Sequence, residues 1–119
     1  MKNFTSSKDI SEKSDEAKMI ALNEGFESLD LRSNLQSNLK ELCFIKMTPI
    51  QKLSLPKIIE GNDVIAKAKT GSGKTAAFGL GLLNKLDVKK FRIQSLTLCP
   101  TRELADQVAK EIRTLGRKI

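Results

Sequence analysis

The octapeptide Ala68-Lys69-Thr70-Gly71-Ser72-Gly73-Lys74-Thr75 constrains this chain more than any other stretch. It fits the G-x-x-x-x-G-K-S/T pattern of phosphate-binding loops, with Ala68 replacing the first Gly. Each residue type has a physical reason. Gly71 and Gly73 let backbone N–H groups turn inward with no Cβ in the way, forming a concave nest for phosphate oxygens. A helix starting at the loop adds the partial positive charge of its N-terminus. Lys74 supplies a mobile cation for the β- and γ-phosphates. Thr75 offers a hydroxyl to Mg²⁺, which prefers oxygen ligands. Thr70, Gly71, Ser72, Gly73, Lys74 and Thr75 are therefore the candidate nucleotide contacts, and Lys74 and Thr75 the catalytic candidates. The competing reading is a Gly-rich turn with a surface lysine.

A strand before the loop and a helix after it favour the first reading, and the flanking sequence supplies both. VIAKA, residues 64–68, reads as a short strand, and residues 74–86 read as a helix. SLTLC, residues 95–99, reads as a second strand ending at Pro100. A last helix is expected from Arg102, with Leu104, Val108, Ile112, Leu115 and Ile119 on its buried side. Two helices come earlier. Leu31, Leu35, Leu39 and Leu42 form one apolar stripe. The next helix has a marked start: Thr48 can cap it, Pro49 fits its first position, and Gln51 completes a capping box. It is expected to end near Gly61. The β-α-β-α order of the second half implies an α/β fold, a parallel sheet covered by helices. The chain divides into a Ser/Lys/Asp/Glu-rich tail over residues 1–22, a helical region over 23–62 and the loop-bearing part over 63–119. The tail has too few apolar groups to offset the entropy of ordering and is expected to be mobile.

Charge follows the same division. Residues 1–60 hold nine Lys/Arg and nine Asp/Glu; residues 61–119 hold twelve and five, so the net charge of +7 lies in the second half. A basic half suits a polyanionic partner such as nucleotide or nucleic acid. The two cysteines, Cys43 and Cys99, form no CxxC pair, and there is no His, which argues against a zinc site. Their apolar neighbours suggest two buried, reduced thiols. No apolar run approaches the roughly 20 residues of a membrane helix, and the N-terminus lacks the apolar core of a signal peptide. A soluble, cytoplasmic protein without a membrane partner is expected.

Three segments, FIKMTPIQ, AKTGSGKT and PTRELA, stand in the order and setting of the Q motif, motif I and motif Ia of the DEAD-box RNA helicases. From about residue 23 onward the chain resembles that family, and in detail its bacterial DbpA type. The resemblance implies a partial RecA-like P-loop NTPase domain, truncated after motif Ia, that uses ATP and Mg²⁺ and binds RNA. It implies that Gln51 reads adenine through its amide, a pairing whose geometry is known from Gln–adenine contacts in DNA recognition. Phe26 stands where the family places an aromatic that stacks on adenine. Thr48 would hold the Q motif against the phosphate loop. Pro100, Thr101 and Arg102 would meet the RNA backbone, contacts that give affinity without sequence preference. Each residue has a plainer role available: capping for Gln51, core packing for Phe26, and an i,i+4 pair with Asp106 for Arg102. Cys43 departs from the family, which usually has Gly before the aromatic of the Q motif to end the preceding helix. Lys69 stands where many members have Gln.

No apolar strand ending in Asp-Glu is present to hold Mg²⁺ and orient water. The SAT motif and the second RecA-like domain with its arginine finger are absent as well. In this family the strands of motifs I and Ia are not neighbours, and the strands between them come from later sequence. The expectation is that these 119 residues alone are marginally stable and catalytically silent. The RNA partner implied by the DbpA type is ribosomal RNA or ribosome assembly intermediates, through a C-terminal domain that this sequence lacks.

Overall fold

The computed structural model describes residues 9–11 and 25–119. The elements run β1 (Asp9–Ser11), a 3-10 turn (Phe26–Ser28), α1 (Ser33–Glu41), α2 (Pro49–Ile59), β2 (Ile65–Lys67), α3 (Lys74–Lys85) and α4 (Arg102–Leu115). All four expected helices form, and VIAKA contributes β2.

α1 buries Leu35 and Leu39 completely, as the Leu stripe requires. It ends in a Schellman motif: the Phe44 N–H donates to the Leu39 carbonyl at 2.9 Å, and the Cys43 N–H to the Lys40 carbonyl at 3.1 Å. α2 starts with the expected capping box. The Thr48 hydroxyl accepts from the Gln51 N–H at 3.4 Å, and Gln51 Oε1 accepts from the Thr48 N–H at 3.0 Å. α3 is apolar enough to be covered on several sides. Gly81 lets α2 pack closely on it, since a Cβ there would fall 2.2 Å from the Ile58 methyl carbon. The core gathers Phe26, Leu35, Leu39, Leu55, Leu80 and Leu115 from four helices and the 3-10 turn.

Polar ties fix the helix ends. The Arg32 guanidinium donates to the carbonyls of Asn84 and Leu86 at 3.1 and 2.6 Å, at the C-terminal end of α3. Asn84 Oδ1 in turn accepts from the Arg32 N–H at 2.9 Å, next to the start of α1. Asn38, fully buried, donates through Nδ2 to the carbonyls of Thr114 and Leu115 at 2.8 and 2.7 Å. These bonds satisfy carbonyls that the ends of α3 and α4 leave without an intrahelical partner.

The sheet differs from expectation. Residues 95–99 form no strand, and among the described residues no strand pairs with them. Leu96 and Leu98 are 80% and 85% exposed. A strand needs a neighbour to take its backbone N–H and C=O groups, and β2 does not reach this segment. β2 pairs instead with Asp9–Ser11, in parallel, with Ile10 opposite Ala66. That strand lies within the stretch expected to be a mobile tail; the rest of residues 1–22 lies outside the described residues. Three backbone positions were enough for the pairing, so the tail's lack of apolar side chains did not decide it. Among the described residues the parallel sheet is thus two short strands, with α2 packed against both.

Three smaller expectations are corrected. Cys43 is exposed and Cys99 half-buried, because one lies on a helix-ending turn and the other on the unpaired segment. Leu104, in the first turn of α4, is 38% exposed. Val108 and Leu115 are buried on α4 as expected.

Candidate nucleotide-binding site

The loop between β2 and α3 has the geometry that its sequence calls for. Gly71 and Gly73 have φ of +83° and +89°, which L side chains rarely adopt. Gly73 is the N-cap of α3, so Lys74 and Thr75 open the helix with their N–H groups at its positive end. The Lys74 ammonium donates to the Ala68 carbonyl and so folds back across the loop. Ser72 is buried, and its Oγ has no hydrogen-bond partner. An orphan hydroxyl inside a loop of inward-turned backbone is a donor and acceptor waiting for a polar ligand. The residues present therefore fit a phosphate chain.

Gln51 is the second anchor. It is 3% exposed, and both ends of its amide are engaged. Oε1 takes the Thr48 N–H, and Nε2 donates to the Gly73 carbonyl at 3.1 Å. The contact leaves no room for a side chain on Gly73, where a Cβ would lie 2.2 Å from Gln51 Nε2 and 3.3 Å from Thr48 Oγ1. Gln51 itself bridges α2 to the phosphate loop, a task expected of Thr48. Thr48 acts one step back, by fixing Gln51.

Other candidates are distributed differently. A cavity of about 1300 Å³ is lined by Thr70, Gly71, Gly73, Lys74, Thr75 and Gln51, and also by Phe44 and Pro100. Phe26 does not line it. Its ring is 2% exposed and packs edge-on to Phe44, with centroids 5.7 Å apart. No face of the Phe26 ring is free for stacking here. Phe44 is the aromatic that sequence reasoning passed over, although FIKMTPIQ contains it. Thr101 caps α4, its Oγ1 accepting from the Leu104 N–H at 3.2 Å. Arg102 is exposed, and among the described residues no ion pair joins it to Asp106. It stands beside Pro100 and Thr101 as expected, free to meet an anion. Among the described residues no group of three His, Cys, Asp or Glu side chains could hold a metal.

Comparison with known proteins agrees with this architecture. The DEAD/DEAH box helicase family model matches residues 48–119, more than half of the chain. The chain belongs to the DEAD/DEAH box helicase family. It is 62% identical over 81 residues to the ATP-dependent RNA helicase DbpA of Escherichia coli, covering 68% of this chain and 18% of the relative. The ATP-dependent RNA helicase FAL1 of Candida glabrata is 40% identical over 95% of this chain and 28% of its own length. Among solved structures, a DEAD box protein from Methanococcus jannaschii superposes with a TM-score of 0.73 at 38% identity, over 77% of this chain and 25% of its own. Dbp5 of S. cerevisiae, bound to RNA and ADP BeF3, gives 0.75 at 31% identity, over 80% and 25%. The chain spans between a sixth and a third of the length of these relatives.

Proposed function

We propose that this chain is the ATP- and RNA-binding portion of a DEAD-box RNA helicase, acting in the cytoplasm. The carrying observation is the loop at the start of α3: two positive-φ glycines, an orphan buried Ser72 hydroxyl and Lys74 folded across the nest. When bound, ATP supplies the phosphoryl group whose transfer to water drives RNA rearrangement in the full-length protein. The residues here bind and orient it. Lys74 leaves the Ala68 carbonyl to meet the β- and γ-phosphates. The Ser72 hydroxyl and the loop N–H groups donate to the remaining phosphate oxygens. The Thr75 hydroxyl would be a side-chain ligand for Mg²⁺, a hard cation that takes oxygen donors and would supply charge neutralisation at the phosphates.

Gln51 couples the adenine side to the phosphate side. Nε2 keeps a second hydrogen and Oε1 a second lone pair, which adenine can use while the Thr48 and Gly73 bonds persist. Phe26 takes a stacking role only after its ring leaves Phe44. RNA meets the N-terminus of α4, where Arg102 is exposed and Thr101 and Pro100 shape the turn. These are backbone contacts without sequence preference. Ribosomal RNA is the substrate class that the resemblance to the DbpA type supports, and competition between ribosomal and unrelated RNA tests it.

The deciding experiment titrates fluorescent ATP and GTP analogues into the 119-residue protein and into its Lys74→Ala and Gln51→Ala variants. The expected result is preferential ATP binding, weakened at least about tenfold by Lys74→Ala, with adenine preference reduced by Gln51→Ala. Equal affinity for ATP and GTP in the parent protein would favour a different P-loop NTPase.

A further inference from the structure

The 3-10 turn that carries Phe26 is tied down from two directions. The Phe26 N–H donates to the Ile45 carbonyl at 3.2 Å, and the Phe26 carbonyl accepts from the Leu29 N–H at 3.1 Å. Gln36 reaches the same turn from α1. Its Nε2 donates to the carbonyls of Phe26 and Leu29 at 2.9 and 3.0 Å. The Leu29 carbonyl also takes the Leu31 N–H at 2.9 Å. Each of the two carbonyls thus has both lone pairs engaged. On its other side the turn lies directly on the segment leading to α2, where a Cβ at Gly25 would fall 2.6 Å from the Ile45 carbonyl oxygen. An amide with two N–H donors suits this place, because it spans the two carbonyls at the ends of one turn.

We propose that Gln36 is a positioning residue for the base of the bound nucleotide, acting through Phe26. The inference rests on the stacking role proposed for Phe26 above. With its N–H and its carbonyl both engaged, Phe26 keeps side-chain rotation as its free motion. The ring leaves its edge-on contact with Phe44, centroids 5.7 Å apart, by turning about χ1 and χ2 while the backbone stays in place. Without Gln36 the turn loses both side-chain bonds to α1, and part of the binding energy goes into ordering it. The phosphate loop is held separately, by Gln51 Nε2 on the Gly73 carbonyl. The consequence is selective. Removing the Gln36 amide weakens what the base contributes to binding and spares what the phosphates contribute.

The test compares ATP with inorganic tripolyphosphate, which carries the phosphates without the base, by calorimetric titration of the 119-residue protein. Gln36→Met, similar in length but without a donor, should weaken ATP binding about three- to tenfold and leave tripolyphosphate within about twofold of the parent. Gln36 is half-buried, so the methionine is accommodated and the helical circular dichroism signal should be unchanged. Gln36→Lys, which keeps donors for the carbonyls, should recover most of the ATP affinity. Phe26→Leu should weaken ATP on its own, and adding Gln36→Met to it should cost little more. Asn38→Ala is the reference for a destabilised core that spares the turn: it should lower Tm without changing the ratio of the two affinities. Equal loss of ATP and tripolyphosphate in Gln36→Met overturns the proposal, as do independent effects of the Gln36 and Phe26 changes. If Phe26→Leu leaves ATP affinity unchanged, the stacking role fails and takes the inference with it. If Phe26→Leu weakens ATP and Gln36→Met does not, the inference alone falls.

Discussion

Cys43 is the one non-glycine residue among the described positions with a positive φ, +61°. It follows α1 at the position where Schellman motifs favour glycine, and a Cβ there is strained. The departure from the family's Gly is therefore tolerated by adopting a glycine's conformation. Cys43→Gly should raise stability by about 0.5–1 kcal/mol, the relief of left-handed strain less the added freedom of the unfolded chain. A shift of the urea midpoint at unchanged slope checks it. Gly73 is the opposite case. Its φ of +89° and the Gln51 amide 2.2 Å from any Cβ forbid a side chain. Gly73→Ala should cost about 1–3 kcal/mol in strain. It should also break the Gln51 link and weaken ATP-analogue binding in the fluorescence titration by more than its effect on Tm would suggest. Lys74, Thr75 and the glycines were legible in the sequence because a phosphate nest demands those residue types at fixed spacing. The engagement of Gln51 Nε2 with the Gly73 carbonyl was not, since it joins residues 22 positions apart.

At the scale of elements, the helices announced themselves. Apolar spacing and the Thr48 box set α1 and α2 within a residue or two, because local sequence alone determines caps and stripes. What joins the helices was hidden. Asn38 is polar and unmarked by any motif, yet it is buried against the last carbonyls of α4. Asn38→Asp should destabilise more than Asn38→Ala at neutral pH, since a carboxylate would face two carbonyl oxygens with no donor. The alanine variant should itself cost about 1–3 kcal/mol by thermal denaturation. Glu41, at the end of α1, meets Lys118 and Arg117 beyond α4. The hydrogen bond from Lys118 leads in holding its carboxyl below the ordinary value of 4.5; desolvation comes next and opposes it, and the Lys118 and Arg117 charges add to the lowering. A lowered folded value means that this contribution is present above pH 4.5 and is lost as pH falls through the folded value. Tm should fall in that acid range, and Glu41→Gln should remove part of the dependence. The pair is exposed, so added salt should shrink the effect.

At the scale of the molecule, the helical half is well packed and the strand half is not. Phe26, Leu35, Leu39, Leu55 and Leu80 are essentially inaccessible, while Phe91, Ile93, Leu96 and Leu98 are open to water. Two consequences follow. The 119-residue protein should bind 8-anilinonaphthalene-1-sulfonate under native conditions, as exposed apolar patches do. It should also unfold with a urea slope at or below about 1 kcal/mol/M, the low end for small domains. A non-binding protein with a steep transition would contradict both. The same residues should turn over ATP no faster than background with RNA present, because among the described residues no strand brings a carboxylate to Thr75; a phosphate-release assay decides it.

The sequence by itself determined the phosphate loop, the four helices and their caps, because these depend on contacts within a few residues. It also carried the family, through three motifs in order. Only the tertiary structure decided which strands exist and what Gln51, Phe26 and Asn38 touch. A strand is made by its neighbour rather than by its own composition. Asp9–Ser11 pairs because β2 offers an edge, and residues 95–99, far better β-formers, stay unpaired because among the described residues no strand lies beside them.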